Sequence, residues 1–188
     1  MRGVAPAVPI RLIVLDGDHT LWHPVDVICC SERVLDDPDG SPDFTFRPAA
    51  QDPDLAIRDD GVRFRLAPGA RAVLADLHAR GVRLAMASWN HAAPIRSLLA
   101  AFGLLPLFSQ VVGEWSSDKA AMLRTILAAE AAAGRPTPPE SVLFVDDDPE
   151  ARYRAMAAAV GTRFAQMGNP AEVRSFADIA RLVSVEAD

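Results

Sequence analysis

Four short clusters of polar residues, each placed at the end of an apolar run or shortly beyond one, carry the groups able to do chemistry. The first is Asp16-Gly17-Asp18-His19-Thr20, directly after Leu12-Ile13-Val14-Leu15. Two carboxylates two positions apart behind a buried strand are costly unless a cation or hydrogen bonds compensate them. The second is Ser88-Trp89-Asn90, after the run Val82 to Ala87, where a hydroxyl and free backbone N–H groups could hold a phosphate. The third is Lys119, near the start of a long alanine-rich segment, a position where the helix dipole disfavours a cation unless an anion pairs with it. The fourth is Asp146-Asp147-Asp148, after Val142 to Val145. Three consecutive carboxylates repel one another in a low-dielectric site. Asp148, before Pro149, fits a helix N-cap with proline at the first helical position, which leaves Asp146 and Asp147 as oxygen ligands for a hard cation. Read singly, each cluster has a structural alternative: a turn with solvated aspartates, a serine cap, a solvated lysine.

The elements that must position these groups follow from periodicity. From Ala67 onward, helix and strand alternate with clear punctuation. Pro68 can open a helix whose apolar face is Val73, Leu74 and Leu77 and which Gly81 closes. A buried strand spans Val82 to Ala87, and a helix from about Ala92 to Phe102 carries Ile95, Leu98 and Leu99. Phe108 to Val112 is a strand. Ser116 or Ser117 caps the helix bearing Met122, Leu123, Ile126 and Leu127. Gly134 to Pro139 is a loop, Ser141 to Val145 a strand, Pro149 to Ala159 a helix and Thr162 to Gln166 a last strand before a C-terminal helix. Short continuous apolar strands between amphipathic helices imply an α/β fold, a three-layer Rossmann-like parallel sheet with helices on both faces. In such sheets function sits at the carboxyl ends of strands, which is where the clusters fall. Residues 22–66 differ: they are rich in Asp and Pro, with a turn at Asp39-Gly40 and strand candidates at Phe44 to Phe46 and Val62 to Leu66. They read as a small flap insertion within one domain spanning residues 1–188.

Together, in this order, the Asp-x-Asp-x-Thr block, the serine, the lysine and the paired aspartates resemble the four motifs of the haloacid dehalogenase superfamily. The resemblance covers nearly the whole chain except the flap. Thr20-Leu21-Trp22 and the position of the flap are similar to the small magnesium-dependent phosphatases, and Phe144 to Pro149 is also similar to phosphatase-like domains that load three-carbon units onto carrier proteins. Gly17 departs from the bulky apolar residue usual between the two aspartates. The resemblance implies that Asp16 is the nucleophile, forming an aspartyl-phosphate, and that Asp18 is the acid and base. It implies Mg2+ held by Asp16, the backbone carbonyl of Asp18, Asp146 and, close by, Asp147. It further implies Lys119 as the group that offsets the negative charge, and a phosphate held by Ser88, Trp89, Asn90 and Lys119, with Thr20 fixing the nucleophile loop. Asp18 favours phosphate transfer over dehalogenation, because a departing halide needs no proton.

The expected activity is therefore magnesium-dependent hydrolysis of a phosphomonoester, on a small molecule or on an accessible phosphorylated side chain. From Ser88 to Lys119 there is room only for a helix and a strand, so no large cap covers the site. The alternatives are transfer of a glyceryl-type unit from a phosphorylated donor to a carrier protein, and a non-catalytic module that keeps the fold. The intact set Asp16, Asp18, Lys119 and Asp146 argues against the last. His19, His23 and His91 lie close to the motifs, either touching substrate or as partly exposed loop residues.

Composition bounds the rest. The 188 residues carry 25 acidic and 19 basic side chains for a net charge of -6, without a basic face fit to follow nucleic acid. Cys29 and Cys30 are adjacent, which strains a mutual disulfide and leaves two thiols of a reducing compartment. No segment reaches the ~18 apolar residues of a membrane span or has the pattern of a signal peptide, so a cytoplasmic protein is expected.

Overall fold

The computed structural model describes residues 8–25, 44–149 and 151–185. Cys29, Cys30 and the Asp39-Gly40 turn lie outside the described residues. Strand β1 (Leu12–Leu15) is the centre of a five-stranded parallel sheet. On one side of it stand β6 (Arg83–Ser88) and then β7 (Phe108–Gly113); on the other stand β8 (Val142–Asp146) and β9 (Arg163–Gln166). The sequence order runs outward one way from β1 and then the other, so a crevice opens at the carboxyl ends of the central strands.

Strand alternation sends side chains to two separate cores. Ile13, Leu15, Leu84, Met86, Leu143 and Val145 join the buried faces of α1 (Ala70–Ala79), α2 (Ala92–Ala101) and α5 (Phe176–Val185). Leu12, Val14, Ala85, Ala87, Val142 and Phe144 join those of α3 (Lys119–Ala132) and α4 (Ala151–Val160) on the opposite face. Because the strands are covered twice, they are apolar throughout rather than alternating. This is the expected three-layer α/β arrangement.

The flap is more ordered than its composition suggests. Strands β2 (Trp22–Pro24), β3 (Phe46–Ala49), β4 (Asp52–Arg58) and β5 (Arg63–Leu66) form a second, antiparallel sheet in the order β2-β5-β4-β3. Strand β4, with its Asp-Pro-Asp start, was not among the strand candidates. Its pairing with β5 begins only at Leu55, so Pro53 lies beyond that ladder and removes no bond from it. Trp22, Ala56, Phe64 and Leu66 are buried in the same apolar cluster as α1 and α2, which fixes the flap sheet against the main one.

The strand expected over Phe44 to Phe46 lies at Phe46–Ala49 instead, and three helix starts differ from expectation. Helix α1 starts at Ala70, because Gly69 takes a left-handed conformation (φ 78°) that breaks the turn Pro68 would open. The cap of α3 is Asp118, not Ser116 or Ser117: its carboxylate accepts from Ala121 N at 2.9 Å, while Ser116 Oγ accepts from Asp118 N. Helix α4 is described from Ala151, beyond Pro149, and Asp148 there accepts from Arg152, four residues on, at 2.7 Å. No helix among the described residues is long and apolar enough to cross a membrane.

Candidate active site

The site forms where β1, β6 and β8 end. Asp16 follows β1 directly and its N–H donates to Val145 O at 2.9 Å, which aligns it beside Asp146 at the end of β8. Ser88 ends β6 and is buried. Lys119 enters from the first turn of α3, 1 % exposed. Its ammonium donates to an Asp16 carboxylate oxygen and to Ala87 O (2.7 Å), and lies 3.3 Å from Asp146 Oδ2. The ammonium thus makes two hydrogen bonds and pairs with Asp146 by charge alone. A cation at the positive end of a helix, stripped of water, is placed there by its anions rather than by its own helix.

Asp147 has a different partner: Thr20 Oγ1 donates to it at 3.1 Å. That bond ties the loop after β1 to the loop after β8, so Thr20 holds the two acidic clusters together. Asp18 accepts from the indole Nε1 of Trp22 at 3.0 Å. Between them the chain reverses within six residues. Leu21 N and Trp22 N both donate to Gly17 O, at 2.8 and 3.1 Å, and His19 N donates to Trp22 O at 2.7 Å. His19 completes the reversal at φ 60°, the one positive φ outside glycine among the described residues, at a cost of about 1–3 kcal/mol.

The charge balance is uneven. Burial pushes the Asp16 carboxyl up to about 8, against the lowering pull of Lys119 and with a further push from Asp146. Burial also raises Asp18, opposed chiefly by the Trp22 N–H, and raises Asp147, helped by the charge of Asp146. Burial alone would lower Lys119, but the carboxylates of Asp16 and Asp146 outweigh it and hold the ammonium above its ordinary value. Oxygen atoms of Asp16, Asp146 and Asp147 lie within 4.8 Å of one another. Asp146 Oδ1 accepts from Asp148 N at 2.9 Å, whereas its buried Oδ2 accepts no hydrogen bond. A compact set of oxygen donors with one orphaned oxygen fits a hard divalent cation.

These residues open into a cleft of about 390 Å³ lined by Asp16, Asp18, Ser88, Lys119, Asp146 and Asp147 at its floor. Trp89, 38 % exposed, stands on its wall with Arg152 and Tyr153, and His19 lies on the wall too. Arg152 and Tyr153 were not singled out in the sequence; only their register on α4, one turn beyond the aspartates, could have marked them. Asn90 stands just off the lining: its Oδ1 accepts from His91 N at 2.8 Å, and its side chain also bonds to Asp18. His91 stacks on Trp115 with ring centres 5.4 Å apart, and it too lies off the cleft wall, as does His23.

A family model described as haloacid dehalogenase-like hydrolase matches residues 39–159, more than half of the chain. The chain belongs to the haloacid dehalogenase-like hydrolases. The match contains Ser88, Lys119 and Asp146 but begins beyond Asp16 and Asp18. The phosphoglycolate phosphatase of Cereibacter sphaeroides (strain ATCC 17025 / ATH 2.4.3) is 37% identical over 98 residues, 52% of this chain and 43% of the relative. The alignment thus spans less than half the length of that curated relative. Among solved structures, a HAD-superfamily hydrolase from Ehrlichia chaffeensis superposes with a TM-score of 0.63 at 14% identity, covering 96% of this chain and 98% of that one. A predicted phosphoglycolate phosphatase from Haemophilus somnus 129pt gives 0.62 at 19% identity, covering 92% and 97%. At these identities the likeness concerns the fold of the hydrolase.

Proposed function

We propose that this hydrolase is a magnesium-dependent phosphatase acting on a phosphomonoester through an aspartyl-phosphate on Asp16. The observation that carries the reading is the buried Asp16–Lys119–Asp146 group at the floor of an open cleft, with a second carboxyl, Asp18, two residues from the first.

In this reading an Asp16 oxygen attacks phosphorus while the ester P–O bond breaks, and Asp18 gives its proton to the departing oxygen. The raised pKa of Asp18 suits a group that must hold a proton until then. Asp18 next takes a proton from water as that water attacks the phosphorus of the aspartyl-phosphate, which frees inorganic phosphate and returns the Asp16 carboxylate. Lys119 and Ser88 face the phosphoryl oxygens, and Trp89 bounds the leaving group. Asp16, Asp146 and Asp147, with the backbone carbonyl of Asp18, are the groups that would hold magnesium. Bound there, the ion supplies the positive charge that keeps Asp16 ionised and offsets the phosphate. Among the described residues no large cap covers the cleft, which suits a small phosphate ester or a phosphorylated side chain on a larger molecule.

The relative from Cereibacter sphaeroides supports this class of reaction. The test is phosphate release from a panel of phosphomonoesters with magnesium, with a chelator, and with Asp16→Asn. Release should stop on chelation and resume with magnesium, and Asp16→Asn should fall below about a hundredth of wild type. A rate indifferent to chelation, or a variant above that level, overturns the assignment. Transfer of a glyceryl-type unit to a carrier protein would instead give no release from general esters.

A further inference from the structure

Gly17 calls for a physical reason. Its φ is not in the left-handed region, so the backbone there does not demand glycine. Space does. A Cβ built on Gly17 would lie 2.5 Å from Cζ2 of Trp22, 3.0 Å from Cη2 and 3.2 Å from Cε2, all three atoms of the rigid indole. Real carbon atoms do not approach to the first of these distances, and a buried ring cannot swing away as the tip of a lysine can. Trp22 is 2 % exposed and is fixed on three sides. Its backbone closes the reversal with Gly17 and His19, its strand pairs with Leu66 of β5, and its six-membered ring covers Gly17. From that place the indole N–H meets Asp18 Oδ1 at 3.0 Å.

We propose that Trp22 is a positioning residue for Asp18: its indole N–H fixes the carboxyl where it meets the leaving oxygen, and Gly17 is glycine because the indole fills the space of a side chain there. The inference rests on the phosphatase reading above. A buried indole N–H needs an acceptor in any case. What distinguishes positioning from mere satisfaction is which acceptor it takes. Here it takes the group that must move a proton, and it does so from the first strand of the flap sheet, an element outside the parallel sheet that carries the nucleophile. One carboxylate of the pair is therefore held by Lys119 from α3; the other takes the Trp22 N–H from the flap, with a weaker contribution from the Asn90 side chain behind β6.

The test compares turnover of an alkyl phosphate with that of p-nitrophenyl phosphate, both with magnesium. The former needs a proton on its leaving oxygen and the latter hardly does. Three proteins are compared with wild type: Trp22→Phe, Gly17→Ala, and the full chain with benzothienylalanine in place of Trp22, which keeps the ring volume and lacks the N–H. The alkyl-to-aryl ratio of kcat should fall about tenfold to a hundredfold with the isostere and with Trp22→Phe, the range for losing one hydrogen bond to an ionisable group. It should fall in the same direction with Gly17→Ala, which drives the ring off its seat. The isostere keeps the inference open to refutation if Trp22→Phe does not fold. A wild-type protein that turns over both esters, with an isostere ratio within about twofold of it, overturns the role of Trp22 and leaves the phosphatase reading standing. A wild-type protein that releases phosphate from neither overturns both.

Discussion

Helix α3 and strand β6 carry a buried ion cluster at each end, and the two clusters are built on opposite principles. At the carboxyl end of the sheet, one ammonium, Lys119, faces Asp16 and Asp146, with Asp147 beside them and Asp146 Oδ2 without a hydrogen bond. At the amino end, one buried carboxylate, Glu130, faces two guanidiniums. Arg83 pairs with it, and Arg135 donates to both of its oxygens at 3.2 Å. Arg83 spends its other donors on Thr137 Oγ1 (2.7 Å) and Arg135 O (3.0 Å). Burial would raise Glu130, yet hydrogen bonds from Arg135, Ser109 and Arg83 outweigh it and the group titrates below its usual range. The amino-end cluster is complete in itself. The carboxyl-end cluster is short of positive charge, a shortfall that a bound cation would fill. Deficit rather than burial separates a site from a staple.

The comparison can be broken first at Lys119. Lys119→Met removes the one cation among three carboxylates and should lower phosphatase turnover by about a thousandfold, the upper range for one preorganised electrostatic group. Phosphate-release kinetics at saturating magnesium check it; a loss under about tenfold would show that the ammonium only fills space.

A smaller effect is expected at the complete cluster. Glu130→Gln should destabilise the fold by about 1–3 kcal/mol, less than a fully buried pair would lose, because Arg135 is half exposed and water screens it. The pH dependence has a definite sign. The folded pKa of Glu130 lies below its unfolded value near 4.5, so the stabilisation is present above that pH and is lost as pH falls through the folded value. Denaturant melts of both proteins should differ most at neutral pH and converge in acid; a gap constant down to acid pH would remove Glu130 from the account.

The smallest effect has the opposite sign. Asp147→Asn keeps an oxygen for Thr20 and removes a charge from the crowded end, so the metal-free protein should gain about 0.5–1 kcal/mol while the magnesium requirement rises. Thermal melts with chelator and with magnesium measure both. A metal-free protein that loses stability would mean that Asp147 is better compensated than the geometry shows.

The difference between the two clusters also explains what could be read from the chain beforehand. Asp16, Asp18, Lys119 and the 146–148 run stand out because charge after an apolar strand is anomalous, and the parallel sheet follows from the same apolar runs. Glu130, Arg83 and Arg135 lie 47 and 5 residues apart along the chain, each ordinary in its own segment, and only packing brings them together. Strand β4 was hidden for a related reason: its Asp and Pro residues are turn formers by local preference, and its place in the ladder depends on pairing with β3 and β5. Arg152 and Tyr153 reach the cleft from the first turn of α4, a placement that their types alone do not signal.

The reversal from Gly17 to Trp22 has a consequence for substrate range. On the proposed chemistry, the proton carrier sits in a closed turn that starts directly after the nucleophile, two residues from it, and Leu21 O also accepts from Ala67 N as the chain leaves β5. Their separation is a fixed gauge that no rotation of an element can reset. Accommodation of a longer, wider or more highly charged leaving group has to come from walls built on other loops, at Trp89 behind β6 and Arg152 on α4. A library that varies those two positions explores substrates at constant chemistry; one that varies residues 17–22 alters the chemistry itself.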